Sequence, residues 1–287
     1  MNLGQFGIWT SYRLIGEENA VEAARLVERL GFGTLWLGGS PRLPKVRPLL
    51  EATSGLTVAT GIVDVWKYEP ADLAAEHAAL SAEFPGRLLL GLGVGHPEVR
   101  SEYVGPLSKM RAFLDGLDAA GAPVTSDQRC LAALGPKMLD LSAERSLGAH
   151  PYFTPPEHTR WARQRLGPTP LLAPELACVL ESDRERAREV AREYARTYLR
   201  LRNYTNNLRR LGFTDDDLQG GGSDRLLDAL IPRGTAADIA RAAAVQMEAG
   251  ADHVCLQPVG VKGIPHDEWQ ALSLALGLQN RRPPPAS

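Results

Sequence analysis

The stretch GLGVGH at 91–96 combines three glycines, which leave backbone open to close approach, with His96, whose imidazole can give or take a proton near neutrality. A glycine-rich turn after an apolar run can cradle a dinucleotide pyrophosphate. That fingerprint needs a third glycine where His96 stands, a helix opening at once, and an acid about twenty residues on. Here Pro97 follows, and Asp115 falls inside the helical stretch KMRAFLDGLD. The run instead reads as a strand whose bare exit, Gly93, Val94, Gly95 and His96, passes close to a flat ligand. The plainer alternative, glycines that only permit a tight strand exit, stays open.

A second constellation is LGPKM at 134–138 (Leu134, Gly135, Pro136, Lys137, Met138), where an apolar run ends and a helix begins. Proline is preset for a first helical turn, and the free amides after it can face an anion, with Lys137 adding charge. A phosphate fits such a turn, although a plain capped helix start would look the same. His150 and Tyr152 close another apolar run and are candidates to face a site; Trp9 and Trp66 could wall a substrate pocket or be simple core. No His, Cys, Asp or Glu cluster has metal-ligand spacing, and no GxSxG nucleophile turn occurs. His253 and His266 read as structural. Cys130, Cys178 and Cys255 are far apart in apolar runs and read as buried thiols.

Holding these residues together requires a repeated scaffold. Apolar runs at 5–10, 34–39, 56–66, 87–94, 129–134, 147–153, 171–180 and 252–257 number eight, with helix-period stretches such as Glu17 to Leu30, 71–83 and 136–145 between them. Ala20, Ala24, Val27 and Leu30 show the three- and four-residue spacing of one buried helical face. Eight strands alternating with helices predict an α/β fold, a (β/α)8 TIM barrel, over 1–280 as one domain. The Arg-rich stretch 182–212 reads as one long helix, an insertion in the region of the seventh helix, with a solvated face or a role in covering the site or an oligomer contact. The tail 281–287 is expected to be disordered.

Thirty-two basic against thirty-four acidic residues give a net charge of −2, which offers no global field for nucleic acid or an anionic membrane. No signal-peptide pattern or run of membrane-spanning length occurs, so a cytoplasmic protein acting on a small-molecule substrate is expected, with a homodimer as a possible assembly.

Five motifs, TLWLGGSP at 34–41, ATGIVDVW at 59–66, PGRLLLGLGVGH at 85–96, LAALGPKML at 131–139 and GAHPYF at 148–153, together resemble the luciferase-like monooxygenase superfamily, in its branch that uses the deazaflavin coenzyme F-420. The resemblance runs from residue 4 to about residue 260. It implies a TIM barrel with the coenzyme ring at the carboxyl ends of the strands. The ring would lie against a third-strand bulge with a non-prolyl cis bond at Gly61–Ile62, flanked by Val63 and Asp64, and beside Gly39 and Ser40. The coenzyme's phosphodiester would sit at Gly135–Met138.

The implied activity is hydride transfer between F-420 and a small organic substrate. Sugar-phosphate dehydrogenase relatives carry an acid and a histidine where this chain has Gly39 and Ser40. That departure argues against glucose 6-phosphate and moves the proton-transfer candidates to Ser40, Asp64 and above all His96. Arg42, Lys45, Arg47 and Lys137 are expected to attract the coenzyme's oligoglutamate tail. The rival readings are an FMN-dependent monooxygenase on the same fold and a non-catalytic cofactor-binding barrel; the GPKM turn and the TGI bulge favour the deazaflavin branch.

Overall fold

The computed structural model describes residues 1–99 and 105–280; the tail expected to be disordered lies outside the described residues. Short apolar runs bounded by glycine or proline become parallel strands: β1 Phe6–Ser11, β2 Thr34–Gly38, β3 Thr57–Thr60, β4 Leu88–Gly93, β5 Arg129–Leu131 and β6 Gly148–Ala149. Strand β7 comes in two pieces, Leu171–Leu172 and Glu175–Leu180, and β8 is Val254–Pro258. Strands β1 to β6 pair in sequence order, and β8 pairs with β1. The first piece of β7 pairs with β6, the second with β8.

Closure happens at the break in β7. Pro174 has no N–H to give to a ladder, so the strand changes partner around it. Ala173 N donates to Ala149 O at 2.9 Å on one side, and Pro174 O accepts from Cys255 N at 3.0 Å on the other. The sheet is therefore closed, which makes the architecture the expected barrel. A two-residue strand, Arg233–Gly234, extends the sheet beside the end of β7.

Helices α1 Ala20–Arg29, α2 Arg47–Glu51, α3 Pro70–Glu83, α4 Pro106–Asp118, α5 Pro136–Arg145 and α6 Pro156–Leu166 follow the first six strands. Each turns an apolar stripe inward; on α1 the buried set is Ala20, Ala23, Ala24, Leu26 and Val27. The cysteines Cys130, Cys178 and Cys255 are free and buried, as their apolar surroundings imply.

The stretch 182–212 departs from the single long helix expected. It forms α7 Arg184–Tyr198 and, after a break at 199–201, α8 Arg202–Arg210. The break has a visible cause: Glu98, on the exit of β4, accepts a hydrogen bond from Arg202 N at 2.9 Å and so supplies a cap from a distant loop. Helix α7 buries Ala187, Ala191 and Ala195, while its arginines face outward to acids such as Asp224, 2.8 Å from Arg192. Helix α9 Ala236–Glu248 then leads to β8, and α10 His266–Ala275 follows it. The inserted helices thus cross the carboxyl end of the barrel.

The bulge in the third strand can be read from register. Ala59 pairs with Leu89, and Val63, in the short strand Val63–Asp64, pairs with Leu92. Four steps on one strand match three on its neighbour, so one extra residue is accommodated between them. The Gly61–Ile62 peptide inside this bulge is cis, where the resemblance places it.

Candidate active site

A cleft of about 480 Å³ opens at the carboxyl ends of the strands. Strand β1 contributes Trp9, the exit of β2 gives Gly39 and Ser40, and the bulge after β3 gives Gly61, Ile62, Asp64 and Lys67. The exit of β4 adds Gly93 to His96; that of β5 adds Ala132 to Gly135, with Met138 on α5; that of β6 adds His150 and Tyr152. Tyr198, Asn203 and Tyr204 from α7 and α8 complete the wall. Residues from six strands far apart in sequence are thereby brought to one end of the barrel, where loop residues can act on a rigid frame.

The floor presents two polar atoms without partners among the described residues, Trp9 Nε1 and His150 Nε2. His150 is buried, stacks on Trp36 at 4.1 Å between ring centroids, and its Nδ1 lies 2.7 Å from Ala173 O. A carbonyl can only accept, so Nδ1 carries the proton. Burial lowers the imidazole's affinity for a second proton to about pKa 4, which keeps the ring neutral at pH 7 and leaves Nε2 as an acceptor. A donor and an acceptor thus meet near Gly61: a Cβ built there would stand 2.7 Å from Trp9 Nε1 and 3.4 Å from His150 Nε2.

His96 stands at the mouth, its Nδ1 2.9 Å from Asn203 Oδ1 and its ring 5.3 Å from that of Tyr204. Ser40 has a left-handed backbone, φ 57°, and its Oγ accepts from Asp64 N at 3.0 Å. Asp64 Oδ1 accepts from Trp66 N at 3.1 Å. Ser40 and Asp64 therefore brace the two turns beside the bulge while lining the cleft.

Four candidates are placed otherwise than the sequence suggested. Val63 is buried in the core beneath the bulge, because alternate residues on a strand face opposite ways. Trp66 does not line the cleft; its Nε1 donates to Val94 O at 2.9 Å and its ring lies 5.2 Å from Lys109 Nζ. Pro136 and Lys137 begin α5 as expected, but Lys137 is exposed and neither lines the cleft. Two further cations reach that turn: Arg165 Nε donates to Pro136 O at 3.1 Å, and the Arg210 guanidinium of α8 is 4.0 Å from where a Gly135 Cβ would stand.

The cationic loop after β2 also differs from expectation: Lys45 pairs with Glu17 at 2.6 Å and Arg47 grips Glu83. Two of its three charges are thus partnered within the protein. Sequence reasoning missed Tyr198, Asn203, Tyr204 and Arg210 altogether, since nothing in an arginine-rich helix marks which turn crosses a barrel mouth. Among the described residues no group of side chains could hold a metal ion, and no helix is long and apolar enough to cross a membrane.

Residues 4–119 match the family model described as luciferase-like monooxygenase, the superfamily that the motifs within that stretch resemble. No curated protein matches the chain. Among solved structures, an F-420-dependent secondary alcohol dehydrogenase in complex with an F-420–acetone adduct superposes with a TM-score of 0.73 at 16% identity, over 96% of this chain and 99% of that one. The coenzyme F-420-dependent tetrahydromethanopterin reductase from Methanopyrus kandleri gives 0.72 at 14%, over 95% and 98%. The FMN-bound oxygenating constituent of 3,6-diketocamphane monooxygenase from Pseudomonas putida gives 0.65 at 14%, over 96% of each chain. Identities this low establish a shared fold.

Proposed function

We propose that this luciferase-like barrel is an oxidoreductase that moves a hydride between coenzyme F-420 and a small organic substrate. The observation that carries the reading is the bulge-backed cleft itself, with its side-chain-free surface at Gly61 and Gly93 and its unpartnered Trp9 Nε1 and His150 Nε2. A Cβ at Gly93 would stand 2.7 Å from Ile62 Cγ1, so glycine there gives the bulge its room. These residues fit a planar heterocycle that presents both an acceptor and a donor along its edge. The first-turn amides of α5 and the Arg210 guanidinium fit its phosphate. The F-420 enzymes among the structures that superpose support the same reading.

When bound, the deazaflavin supplies or takes the hydride. The chain's own residues do the rest. Trp9 and His150 fix the orientation of the group above the bulge, and Tyr198, Asn203 and Tyr204 cover the cleft and exclude water. The reduced substrate needs one proton, and His96 and Tyr152 are titratable side chains among those that line the cleft.

Titrating the protein separately with F-420 and FMN, and following quenching of cofactor fluorescence, tests the assignment. Tighter binding of F-420 by about tenfold or more, roughly 1.4 kcal/mol, is expected. Binding of FMN alone would transfer the site to the oxygen-activating reading. Binding of neither removes both.

A further inference from the structure

A run of phenolic hydroxyls leads from the cleft to a second cavity, and beside it lies a carboxyl group with no cationic partner among the described residues. Glu175 opens the second piece of β7 inside the barrel and is 1% exposed. Its Oε2 accepts from Phe153 N at 3.1 Å and its Oε1 from Tyr194 OH at 3.4 Å. Tyr194 OH is 2.9 Å from Tyr152 OH, which is in turn 2.8 Å from Tyr198 OH and donates to Gln257 Oε1 at 2.7 Å. Tyr152 and Tyr198 line the cleft. Tyr194, Tyr198 and Gln257 line a neighbouring cavity of about 170 Å³ that also reaches Arg13 and Leu14, both exposed.

We propose that Glu175, Tyr194 and Tyr152 form a proton relay, which replaces from the smaller cavity the proton that a substrate takes up in the cleft. The inference rests on the reductive reading above. With the hydride supplied by a bound reduced deazaflavin, the atom of the substrate left anionic would take the Tyr152 hydroxyl proton. Tyr152 is reprotonated by Tyr194, and Tyr194 by the Glu175 carboxyl. The carboxylate then recovers a proton from water through Tyr194 at the smaller cavity. Tyr152 is the catalytic residue in this scheme, while Glu175 and Tyr194 act through it.

Burial, the largest influence, pushes the Glu175 carboxyl up to about 8, against which the Phe153 and Tyr194 hydrogen bonds act. The titratable groups around it are Tyr152 beyond β6, Tyr194 and Tyr198 on α7, Tyr204 on α8, Cys178 on its own strand and Cys255 on β8. Arg13, which also lines the smaller cavity, acts on Tyr198. All of these phenols and thiols are pushed up by burial, so the network holds its protons at neutral pH.

Infrared spectroscopy of the cofactor-free protein reads the carboxyl directly, because its C=O stretch moves when deuterium replaces the proton. A band absent from Glu175→Gln and titrating near pH 8 is expected. Its deuteration should slow by about tenfold in Tyr194→Phe, the scale of one lost hydrogen bond. A carboxyl already ionised at pH 6, or deuteration equally fast in both proteins, overturns the relay.

In the holoenzyme, reduction of cyclohexenone by reduced F-420 should show a kcat that falls above about pH 8. Glu175→Gln and Tyr152→Phe should each lower kcat by about 10²-fold and abolish that fall, with KM little changed. A break that survives in Glu175→Gln and vanishes in His96→Gln also overturns the relay and gives the proton to His96. Absence of any turnover counts against the cofactor reading alone, and the infrared result still decides the relay.

Discussion

Gly61→Val should weaken binding of F-420 or FMN by tenfold to a hundredfold (roughly 1–3 kcal/mol, the usual cost of overpacking) while leaving the barrel folded. The new Cβ would stand 2.7 Å from Trp9 Nε1, and the two methyl groups beyond it need still more room. Trp9 cannot retreat toward β2, because its ring already lies where a Gly38 Cβ would be, 2.2 Å from Cη2 and Cζ2. Either the indole swings into the cleft or the bulge moves; both deform the surface proposed to back the ring. The strand direction itself tolerates a β-branched residue, so a fall in Tm of only a few degrees is expected. Cofactor fluorescence titration beside a thermal melt separates the two effects. Affinity unchanged within twofold would show that the ligand does not rest on this surface.

The barrel was legible in the sequence because most strands are short apolar runs with glycine or proline at or near one end, a local pattern that needs no knowledge of partners. The cleft residues on strand exits were legible for the same reason: Gly39, Gly61, Gly93 and Gly135 mark where backbone must turn or come close. What could not be read was contact between distant segments. Tyr194 and Tyr198 are four residues apart on one helical face and look like ordinary packing; that they meet Tyr152, more than forty residues earlier, depends on where the inserted helices cross. Glu175 did carry a signal. A lone acid inside the apolar run LLAPELACVL must either be paired or be neutral.

The glycines of GLGVGH illustrate a right pattern with a different cause. Gly93 and Gly95 line the cleft, but Gly93 chiefly leaves space for Ile62, and Gly95 turns the chain with φ 64°. Fit within the protein, rather than a ligand's approach, explains most of the motif. The bulge after β3 and the glycines of β4 are two halves of one packing solution.

The strongest consequence falls on Gly91. A Cβ there would stand 1.8 Å from Thr60 O and 3.0 Å from Thr60 C, both backbone atoms, so no side-chain rotation can relieve the overlap. Thr60 also ties itself to this point, donating from Oγ1 to Gly91 O at 2.8 Å. Strands β3 and β4 would have to part by more than an ångström where the bulge begins, breaking ladder hydrogen bonds in a close-packed interior. Gly91→Ala is therefore expected to cost about 3 kcal/mol or more, which for a chain of this size lowers Tm by roughly 6–10 °C. It should also weaken cofactor binding, since the same shift distorts the bulge. Gly121→Ala is the matched control: nothing lies within 4 Å of its Cβ position and its φ is not positive, so it should be neutral or slightly stabilising. Thermal melts of both variants against the parent protein decide the matter. Equal Tm values for Gly91→Ala and Gly121→Ala would mean that the two strands are not held as closely as the structure places them.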